Sequence, residues 1–189
     1  MKNINDIIEQ LGMENTISLE EMPNIDLYMD QVIQLFENTY GETKRHESDK
    51  VMTKTMINNY AKGKVFFPIQ NKKYSKEHLI LLSMIFQLKG TLSINDIKTT
   101  LQGINNKIVT DNINLDAFYK SHLQLLEKNV ESFKKGVDTQ AGAVEEELSK
   151  LDEQDRHSLE QVLLILSLVS TSNMYRKLAE KLIDNLNQP

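Results

Sequence analysis

The chain of 189 residues contains no cysteine, and this absence removes several kinds of chemistry at once. Disulfide bonds, cysteine-ligated zinc, covalent haem attachment and a thiol nucleophile are all excluded. A reducing compartment is the natural setting for such a sequence. The first residues also lack the apolar core and the small-residue cleavage site of a signal peptide. We therefore expect a cytoplasmic protein.

Proline and glycine are scarce, at three and seven residues, and long apolar runs are missing. The longest run, 162–166 with 168–169 after one serine, is far shorter than the ~20 residues that cross a bilayer. We expect no membrane association. Leu, Ile, Lys, Glu, Asn and Gln dominate the composition, and most of these residues favour helix over strand. The sequence therefore predicts a mainly α-helical fold.

The usual catalytic signatures are also missing. No glycine-rich phosphate loop, dinucleotide fingerprint, serine elbow, paired-histidine zinc motif or calcium loop occurs. The four histidines, His46, His78, His122 and His157, are far apart, which favours surface or helix-capping roles over metal binding. The acidic run 145–147 has the character of a solvated helix face. We expect neither an enzyme nor a cofactor.

Positive charge is short overall but concentrated in one place. The net charge is −5, yet between Lys44 and His78 nine basic residues stand against three acidic ones, a local charge of +6. A basic segment of this kind is either a solvated surface loop or a contact surface for a polyanion such as nucleic acid. Charge alone does not decide between the two.

Apolar spacing divides the chain into three regions: a helical arm over 1–21, a central unit over 22–110 and a helical region over 111–189. The helix within the arm is expected to end at Gly12. In the central unit, Asn24 or Asp26 is a candidate N-cap for a first helix that ends near Gly41.

Thr53 is the expected N-cap of a short helix that stops at Gly63. Met56, Ile57 and Tyr60 fall on its packing side. Two short extended pieces, 65–67 and 70–74, are predicted to follow as a small hairpin, the wing. Ser75 and Ser93 are expected to begin two further helices.

The last region repeats apolar residues every seven positions, which is typical of a helical hairpin or a coiled coil. These residues are Leu123, Val130, Val137, Val144 and Leu151. Gly136 and Gly142 predict a break in this segment. Asp152 or Asp155 is expected to begin a final helix that is apolar from Leu159 to Leu186.

The central unit resembles the winged helix-turn-helix of the MerR family of transcription regulators. The resemblance is carried, in order, by residues 55–63, Pro68, the run 74–79 that opens with Tyr-Ser, and the run 92–98 that contains Ser93. In that family a recognition helix ending in glycine is followed by a proline-containing wing, a Tyr-Ser entry to the next helix and a serine-capped helix. Over most of its length the chain also resembles a bacterial family classed as a domain of unknown function, DUF1836.

The MerR resemblance implies a DNA-binding regulator that dimerises, or senses an unknown small-molecule effector, through its C-terminal helices; the segment 115–151 is the candidate. It places the recognition face on Lys54, Thr55, Asn58, Asn59 and Lys62, with Lys64 beside them. It makes Lys72, Lys73 and Tyr74 wing contacts to phosphate. Lysine neutralises phosphate, and asparagine can hydrogen-bond adenine at two atoms.

A second interpretation stays open for this unit. Asn58 and Asn59 are equally consistent with ordinary helix-surface residues, and Tyr60 and Tyr74 with core residues. The acidic remainder of the chain also fits a helical protein-interaction module that has kept a winged fold and lost DNA binding. DNA binding predicts one exposed surface that holds Asn58 and Asn59 together with Lys54, Lys62, Lys64, Lys72 and Lys73, whereas scattered lysines would favour the interaction module.

Overall fold

The computed structural model describes residues 4–151 and 156–186, and it is mainly helical. Seven α-helices and two very short strands occur within these ranges. In chain order they are α1 (Ile4–Gln10), β1 (Leu27–Tyr28), α2 (Met29–Tyr40), α3 (Lys54–Lys62), β2 (Lys73–Tyr74), α4 (Lys76–Leu88), α5 (Ile94–Val109), α6 (Leu115–Ser149) and α7 (Arg156–Leu186). A 3-10 turn, Gly41–Thr43, follows α2. The prediction of a mainly α-helical protein is confirmed.

Several predicted helix boundaries agree with the structure. The Thr53 hydroxyl accepts a hydrogen bond from the Met56 amide at 3.1 Å, and Ser93 does the same for Asp96 at 3.2 Å. Each side chain satisfies an amide that the first turn of a helix leaves without a partner. Ser75 begins α4, and Gly12, at a φ of +57°, follows α1.

The predicted cap of α2 was wrong. The helix begins at Met29 after Tyr28, whose amide donates to the Gln31 side chain at 2.8 Å, and not after Asn24 or Asp26. The reason is that Leu27 and Tyr28 are extended and pair with Tyr74 and Lys73, so the chain becomes free to coil only after β1 ends.

The main core surrounds α4. Leu79, Ile80, Leu81, Leu82 and Ile85 are completely buried, so this helix is covered on all sides. Side chains from β1, α2, α3, β2, α5 and the start of α6 complete the cluster. Burying a leucine or isoleucine of this kind contributes roughly 1.5–3 kcal/mol, so α4 contributes strongly to stability.

α6 continues without interruption for 35 residues, which contradicts the predicted break at Gly136 and Gly142. Nothing lies within 4 Å of the place where a Cβ would stand at either glycine. A glycine in a helix interior costs about 1 kcal/mol relative to alanine, and the turns on either side keep the helix continuous despite this cost.

α7 packs against α6 through a small second cluster centred on Val144, Leu148 and Leu164. The predicted caps Asp152 and Asp155 lie outside the described residues.

Candidate nucleic-acid interface

α3 presents two different faces. Ile57 and Tyr60 are buried against the core, and Met56 is half-buried, as the spacing predicted. The remaining side chains of the helix are exposed: Lys54, Thr55, Asn58, Asn59, Ala61 and Lys62. The packed face anchors the helix, and the open face combines amide donors and acceptors with lysines.

The chain leaves α3 through Gly63 and then Lys64, which has a φ of +54°. This left-handed conformation turns the backbone at once, so that Val65 and Phe66 enter the core while Lys64 stays exposed. The Val65 amide donates to the Tyr60 carbonyl at 3.0 Å and closes the turn. Lys64 is therefore held beside the end of α3.

Asn105 of α5 holds the segment after this turn. Its amide nitrogen donates to the Val65 carbonyl at 2.9 Å, and its oxygen accepts from the Phe67 amide at 3.0 Å. Sequence reasoning missed this role, because Asn105 is 38 residues away from Phe67 and belongs to no local motif. It acts as a positioning residue for the segment.

The predicted hairpin between 65–67 and 70–74 was wrong in its strand partner. β2 pairs antiparallel with β1, Leu27 facing Tyr74 and Tyr28 facing Lys73. The edge of the segment 65–67 is occupied by Asn105, so it is not free to pair with β2. What exists is a tight turn over 70–73, in which Asn71 and Lys72 have φ values of +50° and +60°. Two successive left-handed residues are typical of a type I′ turn.

The predicted contact lysines fall into two groups. Lys54 forms an ion pair with Asp30 at 2.7 Å, and Lys73 lies over the Tyr28 ring, 5.2 Å from its centroid. In the described parts of the chain, no ion pair involves Lys62, Lys64 or Lys72. These three lysines stand exposed at the end of α3, in the turn after it and in the 70–73 turn.

The local charge of +6 is partly compensated by acids from outside the segment. Besides Lys54, Lys76 pairs with Asp116 at 2.7 Å and Lys44 pairs with Glu37. Three of the nine basic residues are therefore matched by acids of α2 and α6. Of the six that remain, Arg45 and Lys50 precede α3, whereas the other four lie at the end of α3, in the turn after it and in the 70–73 turn: Lys62, Lys64, Lys72 and Lys73.

The prediction that Tyr74 contacts phosphate was wrong. Its side chain is 1% exposed and packs edge-to-face on Phe66 and on His78. Burial raises the pKa of its phenol. The side chain alternation of β2 explains the difference: Tyr74 faces the core, which leaves Lys73 on the outer side.

His78 is buried against Phe66, Phe67 and Tyr74, where it caps the start of α4. Nδ1 accepts from the Ser75 amide and Nε2 donates to the Phe67 carbonyl, each at 3.2 Å. Burial lowers the pKa of its imidazole, so the neutral form is favoured. A protonated ring would lose the acceptor that the Ser75 amide needs.

An open groove of about 630 Å³ lies between the end of α3 and α5. Phe66, Phe67, Pro68 and Val109 supply its apolar wall, and its polar rim contains Lys64, Lys98, Gln102, Asn105 and Asn106. Asn105 is committed to the backbone of the neighbouring segment. Lys64 and Lys98 thus both border this groove.

Neither a metal site nor a membrane-spanning helix is found among the residues that the structure describes. No three His, Cys, Asp or Glu side chains in 4–151 and 156–186 are grouped so that they could hold a metal ion. Over the same ranges no helix is both long enough and apolar enough to cross a membrane.

The geometry defines a mainly helical protein that displays one short basic helix on a closely packed core. A model of the protein family described as Domain of unknown function (DUF1836) matches residues 17–122, which are 106 of the 189 residues. The chain belongs to this family. The match covers the unit from Ile17 through the start of α6, and thus less of the chain than the sequence resemblance suggested. No curated protein and no solved structure matches the chain.

Proposed function

We propose that this protein is a non-enzymatic, cytoplasmic DNA-binding regulator whose residues 22–110 act as a MerR-like winged helix-turn-helix. The observation that carries the proposal is the exposed face of α3, where Asn58 and Asn59 stand beside lysines that have no acidic partner among the described residues. In this proposal α2 and α3 form the helix-turn-helix, α3 enters the major groove, and the 70–73 turn is the wing.

The chemistry of each residue suits its proposed role. Asparagine can donate to and accept from adenine at N7 and N6 together, so Asn58 and Asn59 are the residues that read bases. Lys62, Lys64 and Lys72 neutralise phosphates and release condensed counterions, which contributes affinity without sequence preference. Lys54 takes part only if DNA displaces Asp30, and Lys73 only if it leaves the Tyr28 ring.

The way in which α3 is anchored to the core supports the same proposal. Ile57 is completely buried and Tyr60 almost so, and the Thr53 cap fixes the first turn. An anchored helix loses little conformational freedom when a ligand binds its outer face. The two left-handed turns likewise fix the backbone at Lys64 and Lys72 before any contact is made.

The proposal is tested by binding to a random-sequence duplex library across a salt series. The wild-type protein should bind at low salt and lose affinity steeply as salt increases. Replacing Lys62, Lys64 and Lys72 together with Ala should weaken binding and reduce the salt slope by about 1 per lysine. Lys120, Lys128 and Lys135 on α6, equally exposed, provide the matched triple substitution, which should leave the slope unchanged.

Base reading is tested separately. Selection from the library should enrich a sequence motif for the wild-type protein, and N58A/N59A should lose the motif while keeping its salt slope. Folded wild-type protein that does not bind DNA at low salt would contradict the proposed function.

A second candidate is a protein-interaction module that has kept this fold without DNA binding. Two of the nine expected DNA contacts favour this candidate: Lys54 is already paired with Asp30, and Tyr74 is buried and cannot reach a ligand. This candidate predicts no salt-dependent DNA binding. It also predicts that alanine substitutions at Asn58 and Asn59 affect association with a protein partner.

A further inference from the structure

An apolar stripe runs along most of α7, and a separate group of exposed apolar side chains, Val162, Ile165, Leu166 and Val169, lies on another side of its first half. Leu164, Leu168, Thr171, Tyr175, Leu178 and Leu182 follow each other at alternating steps of four and three residues, and Leu186 follows four residues later on the same side. Such spacing places side chains on a single side of a helix that packs lengthwise against another helix. The stripe is continuous in sequence, but its two halves have different surroundings.

The first half of the stripe is covered by α6. Leu164 is buried against Val144 and Leu148. Further along, the Gln140 side chain donates to the Thr171 hydroxyl at 3.1 Å. Leu168 packs on the same cluster. This half is an ordinary antiparallel helix contact within the chain.

The second half is left open. Tyr175, Leu178, Leu182 and Leu186 are 74%, 60%, 57% and 64% exposed. Here α7 turns another side towards α5, and Ile183 is buried. An apolar cleft of about 550 Å³ opens between α6 and α7, with Phe133, Val137, Leu168 and Tyr175 among its lining residues.

The charged residues of this half avoid the stripe. At 100° per residue, Arg176, Lys177, Glu180, Lys181 and Asp184 all fall on the opposite side of the helix. Arg176 lies 3.8 Å from Glu180, and Lys181 lies 3.9 Å from Asp184, so the charges largely pair within α7. The surface is uncharged and its surroundings are nearly neutral, so two identical surfaces of this kind can meet without repulsion or buried charge.

The chain also exposes more surface than a compact monomer of its mass. The chain of 21.8 kDa exposes 12,872 Å². A compact monomer of that mass exposes roughly 9,300 Å². The excess of about 3,600 Å² is several times the ~800 Å² that each partner buries in a stable protein interface.

We infer that a second copy of this chain covers the open half of α7, so that two α7 helices pair across a two-fold axis through Tyr175, Leu178, Leu182 and Leu186. A two-fold contact uses the same surface on both copies, which suits one uncharged stripe on each chain. The contact lies on α7 and not on the segment 115–151, because α7 and the N-terminal arm already cover part of that segment. The inference does not rest on DNA binding.

The test measures the mass of the full chain in solution by light scattering. The wild-type protein should have twice the mass of 21.8 kDa, and L178E/L182E should have the mass of a single chain while keeping its helical circular dichroism. Ile165 and Leu166 are also exposed apolar residues of α7 but lie on a different side, so I165E/L166E should stay dimeric. A monomeric wild type, a dimeric L178E/L182E, or dissociation only of I165E/L166E would each overturn the inference.

Cross-linking keeps the test decisive if L178E/L182E fails to fold. Because the chain has no cysteine, a single substitution creates a unique site for a short bis-maleimide linker. L178C should give covalent dimers in high yield and L166C should give few. The reverse pattern, or equal yields, would place the contact elsewhere.

Discussion

α4 and α7 are both rich in leucine and isoleucine, yet the two helices keep these side chains in opposite environments. In α4, Leu79 to Leu82 and Ile85 are fully buried, whereas in α7 Ile165, Leu166 and Leu178 are about 60% exposed. The difference comes from the neighbours. α4 is enclosed by strands and helices drawn from residues 17–122, and α7 has α6 on one side and a short contact with α5.

This contrast shows that the apolar content of a helix does not determine how much of it is buried. The unit that matches the family model has its own closed core, which is what an independently stable domain requires. The helical region beyond it has only a small cluster of buried residues. Substitutions should therefore have unequal effects in the two regions.

The largest expected difference comes from removing a leucine side chain in each region. L82A should lower the free energy of unfolding by about 2–5 kcal/mol, because it leaves a cavity in a closed core. L166A, the same change at an exposed site on α7, should change it by about 0.5 kcal/mol or less. Urea unfolding followed by circular dichroism measures both. Similar losses would mean that α7 is as closely packed as α4.

A smaller effect is expected at His78, a buried polar residue of the first region. H78A should cost about 1–3 kcal/mol at neutral pH, because the Ser75 amide and the Phe67 carbonyl lose their partners. H157A, at an exposed histidine of α7, is the matched control and should be nearly neutral.

The pH dependence of stability sharpens the same comparison. The pKa of folded His78 is lowered from 6.5, so below that pH the unfolded chain takes up the proton more readily than the folded one. Stability should therefore fall as the pH decreases through 6.5 towards the folded pKa. H78A should reduce this loss without abolishing it, since burial also lowers the pKa of His122. A pH profile identical to that of the wild type would exclude a contribution from His78.

The smallest effect is a gain of stability in the second region. G142A should raise the free energy of unfolding by about 0.5–1 kcal/mol, because the glycine is exposed within α6 and the added Cβ meets nothing within 4 Å. G63A in the first region should bring no such gain. There the Cβ would lie 3.2 Å from the Asn59 carbonyl oxygen and from the Ile94 side chain. Thermal unfolding of both variants measures the difference.

The local part of the fold was accessible from the sequence. Helix α3, with its Thr53 cap and buried Ile57 and Tyr60, follows from neighbouring residues, and so do the starts of α4 and α5. The pairing of β1 with β2 was not accessible. It joins residues 45 and 47 positions apart, and no pattern in either dipeptide identifies the other.

In the candidate site, too, local features could be predicted from the sequence and long-range contacts could not. The exposure of Asn58, Asn59 and Lys62 follows from helical spacing, but the fate of Tyr74 depends on a strand partner that lies far away in sequence. The Lys54–Asp30 ion pair and the hydrogen bond from Asn105 to the Val65 carbonyl are likewise long-range contacts. Charge counted along the chain cannot show which lysines meet an acid.

The hydrogen bond from the Tyr119 hydroxyl to the Ile17 carbonyl, 2.7 Å long, has a consequence for how this unit can be combined with others. It joins the first residue of the family match to a residue near its last, so the two ends of the unit lie side by side. A segment whose ends meet can be inserted into a loop of another protein, or have its order permuted, with little strain on either side. The chain therefore enters and leaves the family unit at one place on its surface, and a helical extension at either end can be attached there without disturbing the core.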